Sequence, residues 1–256
     1  MNQHRLYICA LTAALVSAQS ALPARAAEKT ENGWELQQVS FIVGKPTVLL
    51  SPTGIKIILK KAGLKVVAVA PEWKVFLYND LNKVFFACPL KSFNSSMYQN
   101  EALWSGCRYD NLPFAKDARV QILQLDAIKY KTLPWLAKRA VSENKEGWTD
   151  RGAVTCAYYC LADRLSVPTQ EGLILAKFYG LTTLTGVPLD FSYVNLGKEH
   201  RSRLLTTLCQ RKAIPVSEFA RPSGYRAVKT VQEVSVDISQ SKGLDNMMEG
   251  LGHLMK

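Results

Sequence analysis

Nucleophiles, general bases and metal ligands are thinly supplied in this chain. Of three histidines in 256 residues, His4 lies in the N-terminal leader, His200 sits in a turn-like segment (Gly197-Lys198-Glu199-His200-Arg201), and His253 is near the end. A thiol–imidazole pair or an imidazole-based zinc site would have to use one of these. Cys209 with His200 is the pairing to consider, but a lone strand cysteine usually serves as a small buried hydrophobe. Asp126, Asp163 and Asp190 lie in or beside β-like runs and would be the carboxylates of a glycosidase-type pair; as strand-end and turn residues they have a simpler reading. The chain has no G-x-S-x-G, H-E-x-x-H, Gly-rich phosphate loop or C-x-x-C motif. The expectation is a non-enzyme with no cofactor and no metal.

The cysteines carry a different message. Cys88, Cys107, Cys156, Cys160 and Cys209 follow the leader, an odd number that leaves at least one thiol unpaired or shared between chains. Cys156 and Cys160 share a β-like run, where four residues span roughly 13 Å, too far for a disulfide. Cys88 and Cys107 bracket a polar loop, and a disulfide between them is the expected closure if the chain reaches an oxidising compartment.

Export is the reading of the N-terminus. Arg5 and the amino terminus precede an apolar run at 6–16, and Ala24-Arg25-Ala26 supplies the small-residue cleavage pattern, so residues 1–26 read as a signal peptide. The run is shorter than the roughly 20 residues of a membrane span. Cleavage after Ala26 removes Arg5 and Arg25 and no acidic residue, so the formal charge falls from +11 to +9. The lysines are scattered between strands rather than clustered, and an exported chain rarely meets nucleic acid, so the charge points to a solvated surface or to anionic membrane lipid. Periplasm or secretion is the expected location.

What must position any site is β structure. From 37 to 88, short apolar runs (39–43, 47–50, 55–60, 65–70, 73–78, 83–87) alternate with turn signals such as Ser51-Pro52-Thr53-Gly54 and Pro71-Glu72, the spacing of consecutive hairpins. Several runs are apolar on both faces, which requires cover on both sides. Further strands are expected at 118–130, 154–162, 189–195, 204–211 and 225–237, and short helices at 134–142 and 169–179. Residues 239–256 form an amphipathic Met-rich tail, with Leu244, Met247, Met248, Leu251, Leu254 and Met255 in a helical stripe. The fold class is mainly β (α+β), with one domain over 27–238.

The hairpin series, the segment Pro71-Glu72-Trp73-Lys74-Val75-Phe76-Leu77-Tyr78-Asn79 and the late Phe219-Ala220-Arg221-Pro222-Ser223-Gly224-Tyr225 together resemble the outer-membrane lipoprotein carrier (LolA/LolB-like) superfamily. That resemblance implies a half-open antiparallel β-barrel covered by a few short helices. It also implies a lipid or lipoprotein acyl chain as partner. Trp73, Val75, Leu77, Phe85, Phe191 and Tyr193, chosen by strand position and bulk, are the expected groove residues. The alternative is an envelope protein-interaction or sensor module without a ligand; a carboxylate-based secreted hydrolase ranks third. Alkylation without reduction, followed by intact-mass analysis, should leave Cys88 and Cys107 unlabelled; labelling of both would rule out the disulfide.

Overall fold

The computed structural model describes residues 28–41, 43–94, 109–136 and 154–235. The leader 1–26, Cys107 and the tail 239–256 lie outside the described residues, as does most of the helix expected at 134–142.

The first half of the chain is a meander of β1 (Thr30–Ser40), β2 (Thr47–Ser51), β3 (Gly54–Leu59), β4 (Leu64–Val69), β5 (Lys74–Asn79) and β6 (Val84–Cys88). The second half contributes β7 (Phe114–Ile122), β8 (Leu125–Thr132), β9 (Val154–Ala162), β10 (Val187–Asn195), β11 (His200–Pro215) and the short β12 (Arg226–Ala227). They form one 12-stranded sheet in the order β12-β6-β5-β4-β3-β2-β1-β11-β10-β9-β8-β7. Pairing is antiparallel except where β12 runs parallel to β6. The long β1–β11 ladder, from Thr30↔Pro215 to Ser40↔Leu204, joins the two halves. The sheet does not close on itself; the α-helices lying wholly within the described residues are α1 (Thr169–Tyr179) and α2 (Gln232–Ser235), and residues 135–136 are also helical. This is the half-open, mainly antiparallel architecture expected.

Alternation along each strand sorts the side chains onto two faces. Trp34↔Leu50, Leu50↔Ile55, Ile55↔Ala68, Ala68↔Val75 and Val75↔Cys88 make one continuous row on the concave face. These residues belong to the main core with the lid residues Ile174, Leu175, Phe178 and Tyr179 of α1, all of which are fully buried. Gly172 lets α1 lie directly against the start of β10, since an added Cβ would stand 2.2 Å from the Gly186 carbonyl oxygen. Gly180 ends the helix in a left-handed conformation at φ 63°.

The convex face of β2–β5 is covered by the chain's own return segment. After β11 the backbone makes a 3-10 turn at Val216–Phe219, and Phe219 packs with Leu49 and Ile214 in a second, smaller core. Gly54 makes room for that ring, because a Cβ there would lie 3.1 Å from Phe219 Cγ. Lys56, on the same face, reaches Glu218 at 2.6 Å. Arg221 stacks over Phe76 at 5.3 Å and pairs with Glu72 at 2.9 Å. Tyr225 meets Tyr78 edge-on at 5.5 Å, and its hydroxyl donates to Asp80 at 2.8 Å. The segment Phe219-Ala220-Arg221-Pro222-Ser223-Gly224-Tyr225 is thus a strap. The chain then pairs with the β6 edge and buries Val231 and Val234 in the main core.

Three expectations are corrected. The 118–130 run is two strands, because Leu123 and Gln124 turn with positive φ of 52° and 65° and carry no Gly or Asn to signal it. The 225–237 run is a strand only at Arg226–Ala227 and becomes helical at Gln232–Ser235. The first strand begins at Thr30 rather than near 39, because its polar half pairs with β11. Truncating the strap's plug, Phe219→Ala, should cost about 3–5 kcal/mol by urea unfolding; a loss under about 1 kcal/mol would mean that the strap does not stabilise the sheet.

Candidate functional site

The concave face under α1 is where the expected groove residues must be judged. Val75 and Leu77 point into it from β5, with Trp73 at the turn before that strand; all three are buried in the main core. Phe191 and Tyr193 reach it from β10, where Tyr109 contacts their rings at 5.6 and 5.1 Å. Phe85 does not join them. It pairs with Tyr78, whereas Phe86 pairs with Leu77, so Phe85 stands on the convex side beside Phe76, at 6.3 Å between ring centres. One residue of register decides the face, and two adjacent phenylalanines hide that parity in the sequence.

Sequence reasoning missed the aromatic cluster that surrounds Phe191. Tyr159 meets it at 5.4 Å, and Phe114 lies 6.2 Å from it and 5.8 Å from Tyr159. The strand bearing Tyr159 was legible, but its neighbours are set by long-range pairing. The Tyr159 hydroxyl is buried and finds no hydrogen-bond partner among the described residues.

The lid is fastened unevenly. At its C-terminal end the Tyr179 hydroxyl donates to Gln38 Oε1 at 2.6 Å, and Gln38 Nε2 donates to the Pro188 carbonyl and to Thr206, both at 2.9 Å. Arg203 donates to the Tyr179 carbonyl at 3.1 and 3.3 Å while stacked on Tyr109 at 4.2 Å. Lys177 donates to the carbonyls of Leu90 and Lys91, both at 3.1 Å. At the N-terminal end Glu171 is fully buried, and neither of its carboxyl oxygens has a hydrogen-bond partner among the described residues. Desolvation pushes that carboxyl up to about 9; the Ser51 backbone approaches it without forming a hydrogen bond and relieves little. A helix N-terminus ordinarily favours a carboxylate, but complete removal from water outweighs it here.

No catalytic constellation assembles from the sequence candidates. The β8–β9 register brings Asp126 and Asp163 to neighbouring strand ends, where each faces an arginine, Arg164 at 3.9 Å and Arg119 at 3.6 Å. Asp190 is opposite Cys160 on the other side of β9, and burial raises its carboxyl. His200 and Cys209 lie at separate places along β11, roughly 30 Å apart at strand rise. Among the described residues no group of three or more His, Cys, Asp or Glu side chains could hold a metal ion. Cys88, Cys156, Cys160 and Cys209 are free thiols, so the disulfide expected at Cys88 is not formed here; that thiol is buried instead and raised by desolvation. Among the described residues, no helix is long and apolar enough to cross a membrane.

No protein-family model matches the chain, and no curated protein matches it. Among solved structures, an uncharacterized conserved protein from Thermus thermophilus aligns at TM-score 0.33 and 10% identity, over 77% of this chain and 89% of that one. The complex of MucA and MucB from Pseudomonas aeruginosa aligns at TM-score 0.37 and 14% identity, over 78% of this chain and 59% of the other, so the match spans little more than half of that protein. A putative outer membrane lipoprotein-sorting protein domain from Vibrio parahaemolyticus aligns at TM-score 0.25 and 11% identity, over 71% and 86% of the two chains. Likeness of this degree is too slight to carry a function, ligand or partner to this chain.

The lone carboxyl yields a sign for pH dependence. Its folded value is raised above the ordinary one, so the stability associated with it is complete below about pH 4.5 and declines as pH rises toward about 9. Glu171→Gln should therefore stabilise the protein by on the order of 2–3 kcal/mol at pH 8 and have little effect at pH 4.5. Equal effects at both pH values in urea unfolding would contradict the buried, unpartnered assignment.

Proposed function

We propose that this chain is an exported, non-catalytic binding protein that takes an apolar chain, such as a lipid or lipoprotein acyl group, between α1 and the concave sheet face. The observation that carries the reading is the uneven fastening of the lid. Hydrogen bonds to Gln38, Arg203 and the 90–91 backbone hold its C-terminal end, whereas its first turn holds a buried carboxyl without a partner among the described residues. The end that carries an unmet desolvation cost is the end that lifts with least loss.

Lifting it would expose the apolar lining of β10, Phe191 and Tyr193, which is continuous with the core that holds Val75 and Leu77. Each acyl methylene buried there would contribute roughly 0.8 kcal/mol. The Tyr159 hydroxyl, left unpartnered in that lining, would find an acceptor in an ester or carboxyl oxygen. The ligand class is therefore amphipathic: a long apolar body with one polar acceptor.

A protein-interaction or sensor module is the second reading, and the filled concavity favours it, since α1 already occupies the face that a ligand would use. Native mass spectrometry after incubation with palmitate separates the two. A one-to-one adduct is expected, with slowed amide exchange in β10 and altered exchange in α1. Phe178→Ala, which removes a fully buried lid side chain, should raise the bound fraction although it costs about 3–5 kcal/mol of stability. Absence of any adduct in both proteins would transfer the function to the interaction reading.

A further inference from the structure

We propose that the hairpin turns at one end of this sheet form a docking rim for an anionic lipid bilayer, a reading independent of what the concave face binds. Antiparallel alternation sends the turns at 41–46, 60–63, 80–83 and 196–199 to the same end of the strands. Two of these turns expose a large apolar side chain: Phe41 is 70% and Leu81 65% exposed, the highest values for large hydrophobics among the described residues.

Leu81 is held there by structure. The Asp80 N–H donates to the Gly63 carbonyl at 3.0 Å, tying two neighbouring hairpins together. A Cβ on Gly63 would stand 2.8 Å from Leu81 Cγ, so the glycine, at φ 62°, clears the place where the leucine sits.

Lys45, Lys60, Lys61 and Lys198 lie exposed in the same turns. The nearby carboxylates are already engaged. Asp80 pairs with Lys65 at 2.5 Å and accepts from Tyr225, and Glu199 pairs with Arg201 at 2.9 Å and accepts from Asn195. At the opposite end of the strands Glu72, Asp126 and Asp163 each face an arginine, Arg221, Arg164 and Arg119. The four turn lysines form no ion pair among the described residues and stand in the same turns, or at the same end, as the most exposed apolar groups.

That combination fits a bilayer better than a protein. Successive hairpin tips are roughly 10 Å apart, two strand spacings, and they are convex. A fluid surface can receive such separated points, whereas a protein partner needs a continuous complementary patch. Apolar insertion into the headgroup boundary and attraction of lysines to anionic lipid reinforce one another.

The test is flotation of the full chain with phosphatidylcholine vesicles, with and without phosphatidylglycerol. Binding is expected only to the anionic vesicles and should weaken with salt. Phe41→Ser with Leu81→Ser, and separately Lys60→Glu with Lys61→Glu, should each reduce the bound fraction about tenfold with an unchanged melting temperature. Leu123→Ser, at the other end of the strands, should leave binding intact. Equal binding to neutral vesicles, or full binding by both rim variants, would overturn the proposal. So would competition by inorganic phosphate beyond that of chloride at equal ionic strength, because that would indicate a single phosphate site. Palmitate uptake does not enter this readout, so the two proposals fail separately.

Discussion

Water must be excluded from both faces of β2–β5, and the rest of the structure answers to that constraint. The concave row from Leu50 through Ile55, Ala68 and Val75 is buried in one core with α1, which packs on β10, and α2, which packs on β5 and β6. The convex side, with fully buried Val67 and nearly buried Leu49, Phe76 and Tyr78, is met by the strap that follows β11. A sheet covered once would have left half of this apolar surface in water, at roughly 25 cal/mol for each Å². The β1–β11 ladder makes double cover feasible: it brings the second meander beside the first and delivers the chain, at Pro215, to the edge from which the strap crosses.

Polar groups inside this double-covered sheet divide into the satisfied and the unsatisfied. Gln38, Thr206 and Tyr179 close a buried network that ties β1, β11 and the lid together, and such a network rigidifies what it connects. Lys56 is buried on the convex side but has Glu218 within reach. Glu171 and the Tyr159 hydroxyl have no such partner among the described residues.

Much of the architecture was legible in the sequence because hairpins announce themselves locally. The apolar runs and turns such as Ser51-Pro52-Thr53-Gly54 and Pro71-Glu72 placed β2–β6 within a few residues, and the short helix expected at 169–179 is the lid. The turn at Leu123-Gln124 was hidden because a positive φ was adopted by residues that do not advertise it. Of the six groove residues, Val75, Leu77, Phe191 and Tyr193 fell on the concave face, with Trp73 buried at its margin. Phe85 fell on the convex face because its parity depends on the β5–β6 register.

Alternating apolar runs and turn residues are local properties, and they alone determined that this chain would be built of consecutive antiparallel hairpins with a short helix at 169–179; the openness of the sheet was implied by the family resemblance. The scarcity of histidine is likewise a property of composition. Tertiary structure decided which strand the second meander would join and what the Phe219–Tyr225 motif does. It also decided that Glu171 lies buried without a partner among the described residues and that Phe41 and Leu81 share one end with unneutralised lysines. The long ladder brings together groups from far along the chain, as in the Tyr179–Gln38 bond across 141 positions, whereas Phe41 and Leu81 share an end because the hairpins between them alternate. Composition and periodicity constrain a residue's immediate neighbours along the chain, and only closure of the long ladder determines its neighbours in space.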